Sequence, residues 1–514
     1  MTGHRSLLPA TKDRKGISMR QPHRPLKTLA IPAVFLALTF VPAFPGRAAP
    51  ASGSLRQAVR QMMAHPDMKH AAFAMLVLPR QGGKPLFEHN ADLNLSPASV
   101  VKLAVTGAAL SLLGESFRFE TVLARDGKVN SRGALEGSLV IRGGGDPTLG
   151  LDEWEPLFTR WTAKLREAGI RSIEGDVVGD ARLFDSRLAA DRWCWEDVGN
   201  YYGVGASGLS FHRNRYWLHL RPGKAPGAPA AVSRTEPFVA DLRFVNEMTT
   251  GPQGSGDHGY IYGGPYSTVR ILRGTVPAGR KEFAIAGALP DPALACASTF
   301  RDFLVRNGLP VKGRALTARL LEEGGKPLLG DATPLFTHRS ETLGEIVKLT
   351  NLWSLNLNAE AMLKMLGLRV KGEGSSRAGI EAVKEHWKSR GVDMKGFFLE
   401  DGCGLSPMNG MSPRHLGEIL VKMAQTPVFE TFYESLAVAG RTGTLKSFGK
   451  GTAAEGRIRA KSGSMTRVRS YAGYAVGRKG RPLVFAAMAN DFDGSSRNMK
   501  RRLQEVLAKM VESY

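Results

Sequence analysis

The stretch SPASVVKLAV, residues 96–105, places a serine and a lysine three positions apart at the predicted start of a helix. Ser96 fits an N-cap and Pro97 fits the first helical position, so Ser99 and Lys102 should share one face. A serine hydroxyl needs a base to take its proton, and a lysine can be that base if burial and a second cation lower its pKa. The backbone N–H of Ser99, in the first turn, is an oxyanion donor. By itself the pair also fits an ordinary solvated helix.

Two further segments supply the parts that such a nucleophile needs. KSGSM, which begins at Lys461, follows the alternating segment GRIRA, so it is predicted to lie on a strand. Lys461 would be the second cation, Ser462 offers a hydroxyl for a carboxylate, and Gly463 would let the strand approach a substrate backbone. SLN, with Ser354 and Asn356, adds a hydroxyl and an amide just before a predicted helix.

Two similar segments are predicted to lie outside the site. SFGK, residues 447–450, repeats the serine–lysine spacing among glycines, where no helix would hold the two side chains together. RTG, residues 441–443, is followed by turn residues instead of a strand.

Composition narrows the classes of function. A chain of 514 residues suits two or three domains, and 70 Lys and Arg against 47 Asp and Glu give a formal charge of +23. This charge fits a basic soluble surface or attraction to a polyanion, but no basic block is interleaved with aromatics, so no nucleic-acid partner is predicted. The three cysteines form no CxxC pair and no histidine lies in HExxH, so no metal site is predicted. His386, in KEHWK, is predicted to lie on a helix surface.

The N-terminus predicts export. Lys27 precedes the apolar run TLAIPAVFLALTFVPAF, and small-residue cleavage sites follow after Ala49 or Ala51. This pattern predicts a secretory signal; an uncleaved membrane anchor is the alternative, and either one exports the rest of the chain.

The pattern of elements suggests one domain interrupted by another. Short strands with Gly and Pro turns fill the region from about 120 to 330, and longer helices follow from about 340. AAFAMLVLPR and KPLFEHNAD predict two early strands, EGRIRAKSG and SYAGYAVGRKGRPLVFAAMAN predict three late ones, and a helix is predicted near 495–512.

Ser-x-x-Lys, Ser-x-Asn and Lys-Ser/Thr-Gly, in this order, are the three motifs of the penicillin-recognising serine enzymes. The chain resembles one branch of them, the D-alanyl-D-alanine carboxypeptidase/endopeptidases of the penicillin-binding protein 4 (DacB) type, peptidase family S13. The similarity covers NLSPASVVKL, IRGGGDPTL, YYGVGASGLSF, LNAEAML, DGCGLSPMNGMSP, AGRTGTL and RAKSGSM, and the long gap between the first two motifs.

The resemblance implies a fold and a division of the chain. The fold is α/β (α+β): an antiparallel sheet flanked by helices, interrupted by a large β-rich inserted module. The expected division is residues 1–51 for the signal and leader, 52–120 and 334–514 for the two parts of the transpeptidase-like domain, and 121–333 for the insert.

The resemblance also implies a role for each residue at a motif position. In the first two motifs, Ser99 is the acylated nucleophile, Lys102 its general base, Ser354 the proton shuttle and Asn356 a donor to the substrate amide. In the third motif, Lys461 is the electrostatic partner, Ser462 the carboxylate binder, Gly463 a part of the substrate-binding strand, and Ser464 the second oxyanion donor through its N–H.

The sequence departs from the family at three positions. Ser462 stands where Thr is usual and keeps the hydroxyl, Leu355 replaces Asp or Asn, and Cys403 replaces Ser. Cys403 is interpreted as a buried small residue or a reactive thiol.

The implied function is serine-type D-Ala-D-Ala carboxypeptidase or DD-endopeptidase action on peptidoglycan stem peptides through an acyl-enzyme on Ser99. β-Lactams would be covalent inhibitors, and no cofactor is implied. The protein would act in the periplasm or otherwise outside the cytoplasm, with a peripheral association with membrane or cell wall as a further expectation. The alternatives are a β-lactamase-like hydrolase, for which no deacylating base is evident, and a non-catalytic wall-binding protein, against which the intact motifs argue.

Overall fold

The computed structural model describes residues 52–151, 153–326 and 332–514, so the predicted signal at residues 1–51 lies outside the described part. The α-helices there are α1 Ser52–Met63, α2 Lys102–Leu113, α3 Glu155–Glu167, α4 Trp195–Val198, α5 Pro292–Arg306, α6 Ala318–Glu323, α7 Leu343–Trp353, α8 Asn356–Lys371, α9 Ser376–Ser389, α10 Pro413–Met423, α11 Phe429–Ser435 and α12 Ser496–Ser513. None of the helices in these ranges has the length and apolar character that crossing a membrane requires.

The strands of the same ranges are β1 Ala72–Pro79, β2 Phe87–His89, β3 Glu120–Val129, β4 Ala134–Arg142, β5 Ser172–Ile173, β6 Val177–Asp180, β7 Arg215–Arg221, β8 Ala231–Glu236, β9 Arg243–Asn246, β10 Thr249–Gly251, β11 His258–Tyr262, β12 Val269–Pro277, β13 Phe283–Ala288, β14 Ala315–Thr317, β15 Thr333–Arg339, β16 Ala437–Val438, β17 Ile458–Met465, β18 Val468–Val476 and β19 Pro482–Asn490.

One sheet joins the two ends of the chain. Its order is β16-β17-β18-β19-β1-β2, with every neighbouring pair antiparallel. β1 pairs with β19 along its whole length, from Ala72 opposite Asn490 to Pro79 opposite Leu483. The early and late strands expected from the sequence therefore form a single sheet, which carries the KSGSM segment on β17.

Both faces of this sheet are buried, which explains why β1 reads as a continuous apolar run without alternation. Leu76 and Met488 face the core that also contains α2 and α10, whereas Met75 and Phe485 face the core that contains α1 and α12. Helix α2 carries apolar residues on every side, and it is buried from Lys102 to Leu110, as expected for a helix without a polar face. The start of α2 is therefore held firmly beside the sheet.

The segment between the first two motifs forms further sheets. β14-β6-β4-β3-β15 form a mixed sheet with β5 beside β4, β13-β7-β8 form a second, and β10-β12-β11, with β9 beside β12, form a third. Side chains of these sheets pack with Phe158 and Trp161 of α3 and Phe300 of α5, and together they form a separate hydrophobic core. The domain boundaries at 120/121 and 333/334 remain a prediction.

The structure corrects the prediction for His386. Its side chain is buried on α9, with only 8% of its surface exposed, and it packs edge-on against Trp387 with ring centroids 4.8 Å apart. Trp387 belongs to the core in which α9 packs against α2 and α8, and burial lowers the pKa of the adjacent His386 to about 4.

Candidate active site

Ser99 lies on a 3₁₀ turn, Ala98–Val101, immediately before α2. The prediction that Ser96 caps an α-helix beginning at Pro97 is wrong: Pro97 itself is the N-cap, and the Ser96 hydroxyl is directed at Met465 Sδ, 4.0 Å away. Ser99 and Lys102 nevertheless share one face, for a different reason. A 3₁₀ helix has three residues per turn, so Ser99 and Lys102 are superposed along its axis, and Lys102 Nζ lies 3.0 Å from Ser99 Oγ.

The Lys102 side chain is completely buried and its nitrogen has three partners. Besides Ser99 Oγ, these are Asn356 Oδ1 at 2.7 Å and the carbonyl oxygen of Cys403 at 2.5 Å. In a neutral amine, Asn356 and Cys403 would receive the two N–H groups, which leaves the lone pair directed at the Ser99 hydroxyl. This geometry suits a base that removes the proton of Ser99.

A second lysine closes the site from the sheet. Lys461, on β17, is fully buried, and its Nζ donates to Ser354 Oγ at 2.8 Å and to the Ser462 carbonyl at 2.7 Å. Ser354 ends α7 in the left-handed conformation, with φ of 61°, which is uncommon for a residue other than glycine. The structure thus brings Ser354 to Lys461, and Asn356 to Lys102.

Burial is the main cause of the unusual acidity of both lysines. It lowers the pKa of Lys102, although the neighbouring acidic groups of Cys403, Asp401 and Glu360 act in the opposite direction. It lowers the pKa of Lys461 well below the ordinary value, and the positive charge of Lys102 lowers it further. Because repulsion between two ammonium groups is mutual, a proton on one lysine disfavours a proton on the other. Burial and this mutual repulsion therefore both favour a state in which at least one of the two amines is neutral.

Ser462 and Gly463 continue β17 past the two lysines. The Ser462 hydroxyl donates to Thr444 Oγ1 at 2.9 Å, so two hydroxyl groups stand side by side at the rim. A Cβ added at Gly463 would lie 2.1 Å from Ser470 Oγ and 2.6 Å from the Pro97 carbonyl oxygen. Glycine here lets β17 pack closely against the turn that carries the nucleophile. The sequence predicts a different reason for this glycine, the approach of the strand to a substrate backbone.

The three departures from the family pattern have different surroundings. Leu355 is the N-cap of α8 and makes no side-chain cap, and Ser462 keeps its hydroxyl at the rim. Cys403 is completely buried, and burial raises the pKa of its thiol well above the ordinary value. A buried, protonated thiol is a poor nucleophile, so the first interpretation of Cys403 fits the structure.

The sequence reasoning missed contacts made by three residues around the motifs. The carbonyl of Cys403 accepts both Lys102 and Ser99, the latter at 3.2 Å, and the carbonyl of Tyr202 accepts Asn356 Nδ2 at 2.7 Å. Thr444 directly follows the RTG segment that was predicted to lie outside the site. Two of these contacts use main-chain oxygen atoms, which carry no sequence signal. By contrast, the other rejected segment lies in a turn, where Ser447 Oγ accepts Lys500 Nζ at 2.9 Å.

Comparisons with known proteins identify the family of this chain. The sequence profile of the D-Ala-D-Ala carboxypeptidase 3 (S13) family matches residues 55–510. A D-alanyl-D-alanine carboxypeptidase of Actinomadura sp. (strain R39) is 30% identical over 498 residues, which cover 93% of this chain and 89% of the relative. D-alanyl-D-alanine carboxypeptidase DacB of Haemophilus influenzae is 25% identical over 412 residues, covering 79% and 82%.

Solved structures have the same fold. The crystal structure of penicillin binding protein 4 (dacB) from Haemophilus influenzae superimposes with a TM-score of 0.74 at 21% identity, covering 89% of this chain and 98% of that one. A crystal structure of the same protein complexed with a β-lactam gives a TM-score of 0.70 at 20% identity, covering 88% and 98%. The similarity confirms the expected fold class.

Proposed function

The chain belongs to the D-Ala-D-Ala carboxypeptidase 3 (S13) family, and we propose that it cleaves the terminal D-Ala–D-Ala bond of peptidoglycan stem peptides through an acyl-enzyme on Ser99. The observation that carries this assignment of residues is the contact of a buried lysine amine with a serine hydroxyl, Lys102 Nζ to Ser99 Oγ at 3.0 Å. DD-endopeptidase cleavage of cross-links uses the same chemistry on a different leaving amine and belongs to the same proposal.

Acylation begins when neutral Lys102 takes the Ser99 proton and Ser99 Oγ attacks the carbonyl of the penultimate D-Ala. Negative charge develops on the carbonyl oxygen of the penultimate D-Ala, and the backbone N–H groups of Ser99 and Ser464 are proposed to stabilise it. Asn356 accepts Lys102 Nζ through Oδ1 and donates to the Tyr202 carbonyl through Nδ2, and the second Nδ2 hydrogen is proposed to donate to the substrate amide. Ser462 and Thr444 are proposed to offer their hydroxyl groups to the terminal carboxylate.

The leaving amine needs a proton, and Ser354 can deliver it. The Ser354 hydroxyl contacts Lys461 Nζ, so the proton that Ser354 gives to the departing D-Ala can be replaced from the lysine side. Hydrolysis of the ester runs these transfers in reverse. Water takes the place of the leaving amine and gives its proton through Ser354 to Lys461, and protonated Lys102 returns a proton to Ser99.

A β-lactam should acylate Ser99 and remain there. Its cleaved ring stays tethered to the acyl group and occupies the approach of water, whereas the D-Ala of a peptide substrate departs. The Haemophilus influenzae protein with the same fold has been crystallised with a β-lactam, which supports this expectation. Rapid loss of the adduct with recovery of activity would instead favour the β-lactamase alternative.

The cellular setting is part of the proposal. Peptidoglycan lies outside the cytoplasm, so the N-terminal apolar run is proposed to be a secretory signal that delivers the protein to the periplasm. The net charge of +23 supports a peripheral association with an anionic membrane or cell wall. We also retain residues 52–120 and 334–514 as one transpeptidase-like domain with residues 121–333 inserted.

The test is the Ser99→Ala variant treated with penicillin and analysed by intact mass and peptide mapping. We expect the wild type to gain one covalent adduct on Ser99 and to release D-Ala from purified stem peptides, and we expect the variant to do neither. Ser447→Ala, which changes the serine of the other Ser-x-x-Lys segment, is the matched control and should behave like the wild type. Undiminished labelling of Ser99→Ala, or labelling mapped to Ser447, would show that the assignment is wrong.

A further inference from the structure

A main-chain oxygen contacts both the proposed nucleophile and its base. The Cys403 carbonyl accepts Lys102 Nζ at 2.5 Å and Ser99 Oγ at 3.2 Å. Its position affects both the direction of the lysine lone pair and the orientation of the serine hydroxyl. The segment that presents this oxygen, Asp401–Gly404, lies in a loop outside the named helices and strands.

Asp401 fixes one side of this loop. Its carboxylate is fully buried and accepts five hydrogen bonds of 2.6–3.0 Å. The donors are the N–H groups of Gly404, Leu405 and Ser406 and the side chains of Asn409 and Trp193. This many donors can compensate a buried carboxylate for its lost hydration. These hydrogen bonds therefore fix the conformation of the loop that follows Cys403.

Glu360 holds the other side. It follows Asn356 by four residues on α8, so both side chains leave the same face of the helix. Glu360 Oε1 accepts the Gly402 N–H at 2.8 Å. The ligand atoms of Glu360, Asp401 and Cys403 lie within 4.8 Å of one another. Only 2% of the Glu360 surface is exposed, and the proposed mechanism assigns it no part.

We propose that Glu360 is a positioning residue for the acylation step: through Gly402 and Cys403 it holds the Cys403 carbonyl where that oxygen directs Lys102 toward Ser99. This inference rests on the proposed function of Ser99 and Lys102. It gives α8 two contributions to the general base, the Asn356 side chain directly and the Glu360 side chain through the loop.

The charge of Glu360 also matters to Lys102. Burial raises the pKa of Glu360 to about 7, and the charge of Asp401 adds to this, whereas the nearby Cys403 thiol and the charges of Lys102 and Lys364 oppose it. Lys364 is itself paired with Asp185 at 2.8 Å. An ionised Glu360 favours the protonated form of Lys102. A neutral side chain at position 360 should therefore make the Lys102 amine available at lower pH.

The experiment compares Glu360→Ala and Glu360→Gln with the wild type. The second-order rate of penicillin acylation is measured from pH 5.5 to 9.5, alongside thermal unfolding. Glu360→Ala leaves the Gly402 N–H without its acceptor, and we expect acylation to slow by at least about tenfold. Glu360→Gln keeps an acceptor oxygen, so it should return the rate to within about threefold of the wild type, with the rising limb of the profile at lower pH.

The controls separate this role from simple destabilisation. Glu385→Gln changes an exposed carboxylate on α9 and should leave both rate and profile unchanged. If Glu360→Ala does not fold, Glu360→Gln still tests the proposal, because a folded variant that keeps the acceptor oxygen should acylate within about threefold of the wild type. Wild-type acylation by Glu360→Ala, or a larger loss of rate in Glu360→Gln, would overturn it. Failure of the wild type to be labelled at Ser99 would instead overturn the proposed function.

Discussion

The side-chain nitrogen of Lys461 lies 2.8 Å from the hydroxyl oxygen of Ser354, and 107 positions of the chain separate the two residues. The contact joins β17 of the central sheet to the turn between α7 and α8. It gives Ser354 a buried amine as its partner, just as Ser99 has Lys102. This pairing has direct consequences for the pH dependence of the reaction.

Lys461→Ala should slow penicillin acylation at neutral pH by about 10²–10⁴-fold, because it removes a partner of the proton shuttle. It should also move the rising limb of the pH–rate profile to higher pH. The reason is that protons on the two coupled amines disfavour each other, so without Lys461 the remaining amine, Lys102, holds a proton more tightly. Ser462→Thr, which keeps the hydroxyl, should remain within about threefold of the wild type. An unmoved limb in Lys461→Ala would restrict Lys461 to substrate binding.

Thr444→Val should weaken binding of the substrate carboxylate. The variant removes the hydroxyl that contacts Ser462 Oγ while keeping the shape of the side chain. We expect KM for a stem peptide to rise about 10–100-fold with little change in kcat, as for the loss of one hydrogen bond to a charged group. Thr444→Ser should restore KM, and a peptide with an amidated C-terminus should not distinguish the variants. An equal rise in KM for the amidated peptide would contradict the assigned contact.

Gly463→Ala should damage both stability and acylation. The added methyl group would overlap Ser470 Oγ and the Pro97 carbonyl oxygen, and both atoms belong to packed parts of the site. Overpacking of this kind costs about 1–3 kcal/mol in the free energy of unfolding, measured by urea denaturation. Gly264→Ala is the control, since a Cβ at Gly264 meets no atom within 4 Å. Full activity of Gly463→Ala would mean that β17 can move away from the Ser99 turn without consequence.

Asp146→Asn should stabilise the protein at neutral pH. Burial raises the pKa of Asp146 to about 6, although its hydrogen bonds from Thr148 oppose the shift. The folded state therefore holds this proton more tightly than the unfolded state, and its contribution to stability is full below pH 3.8 and is lost as the pH rises to about 6. The neutral amide avoids that loss, so the variant should gain up to about 3 kcal/mol above pH 7.

Urea denaturation of the wild type and Asp146→Asn between pH 4 and 8 measures this difference. The two stability curves should converge toward pH 4, where Asp146 is largely protonated. A constant difference across the range would show that Asp146 does not titrate in the folded protein as expected.

Leu355→Asn should strengthen the start of α8. Leu355 occupies the N-cap without making a cap, and an asparagine there can accept the N–H of the third helical residue. Leu355→Ala removes the same leucine contacts without adding a cap, so the comparison is between these two variants. We expect Asn to exceed Ala by about 1 kcal/mol in the free energy of unfolding. Equal stabilities would mean that the loop before α8 cannot place the new side chain over the helix end.

The local chemistry was readable from the sequence. Ser99 and Lys102 lie three residues apart, and any helical turn of the 3₁₀ or α type brings such a pair together. Apolar runs gave β1 and β19 because buried strands need side chains that pack on both faces. Even so, the sequence misplaced the helix start at Ser96 and the exposure of His386, since both depend on what packs against them.

Only the tertiary structure decided which distant groups complete the site. Pairing of β1 with β19, and packing of α8 against α2, bring Asn356 to Lys102 and Lys461 to Ser354. The carbonyls of Cys403 and Tyr202 enter as main-chain atoms, and every residue type has such an oxygen. Glu360 and Asp401 look like ordinary charged residues in the sequence. Their importance arises from burial. A buried carboxyl group needs hydrogen-bond donors, which here come largely from the loop, and its charge strongly affects the pKa of a neighbouring amine.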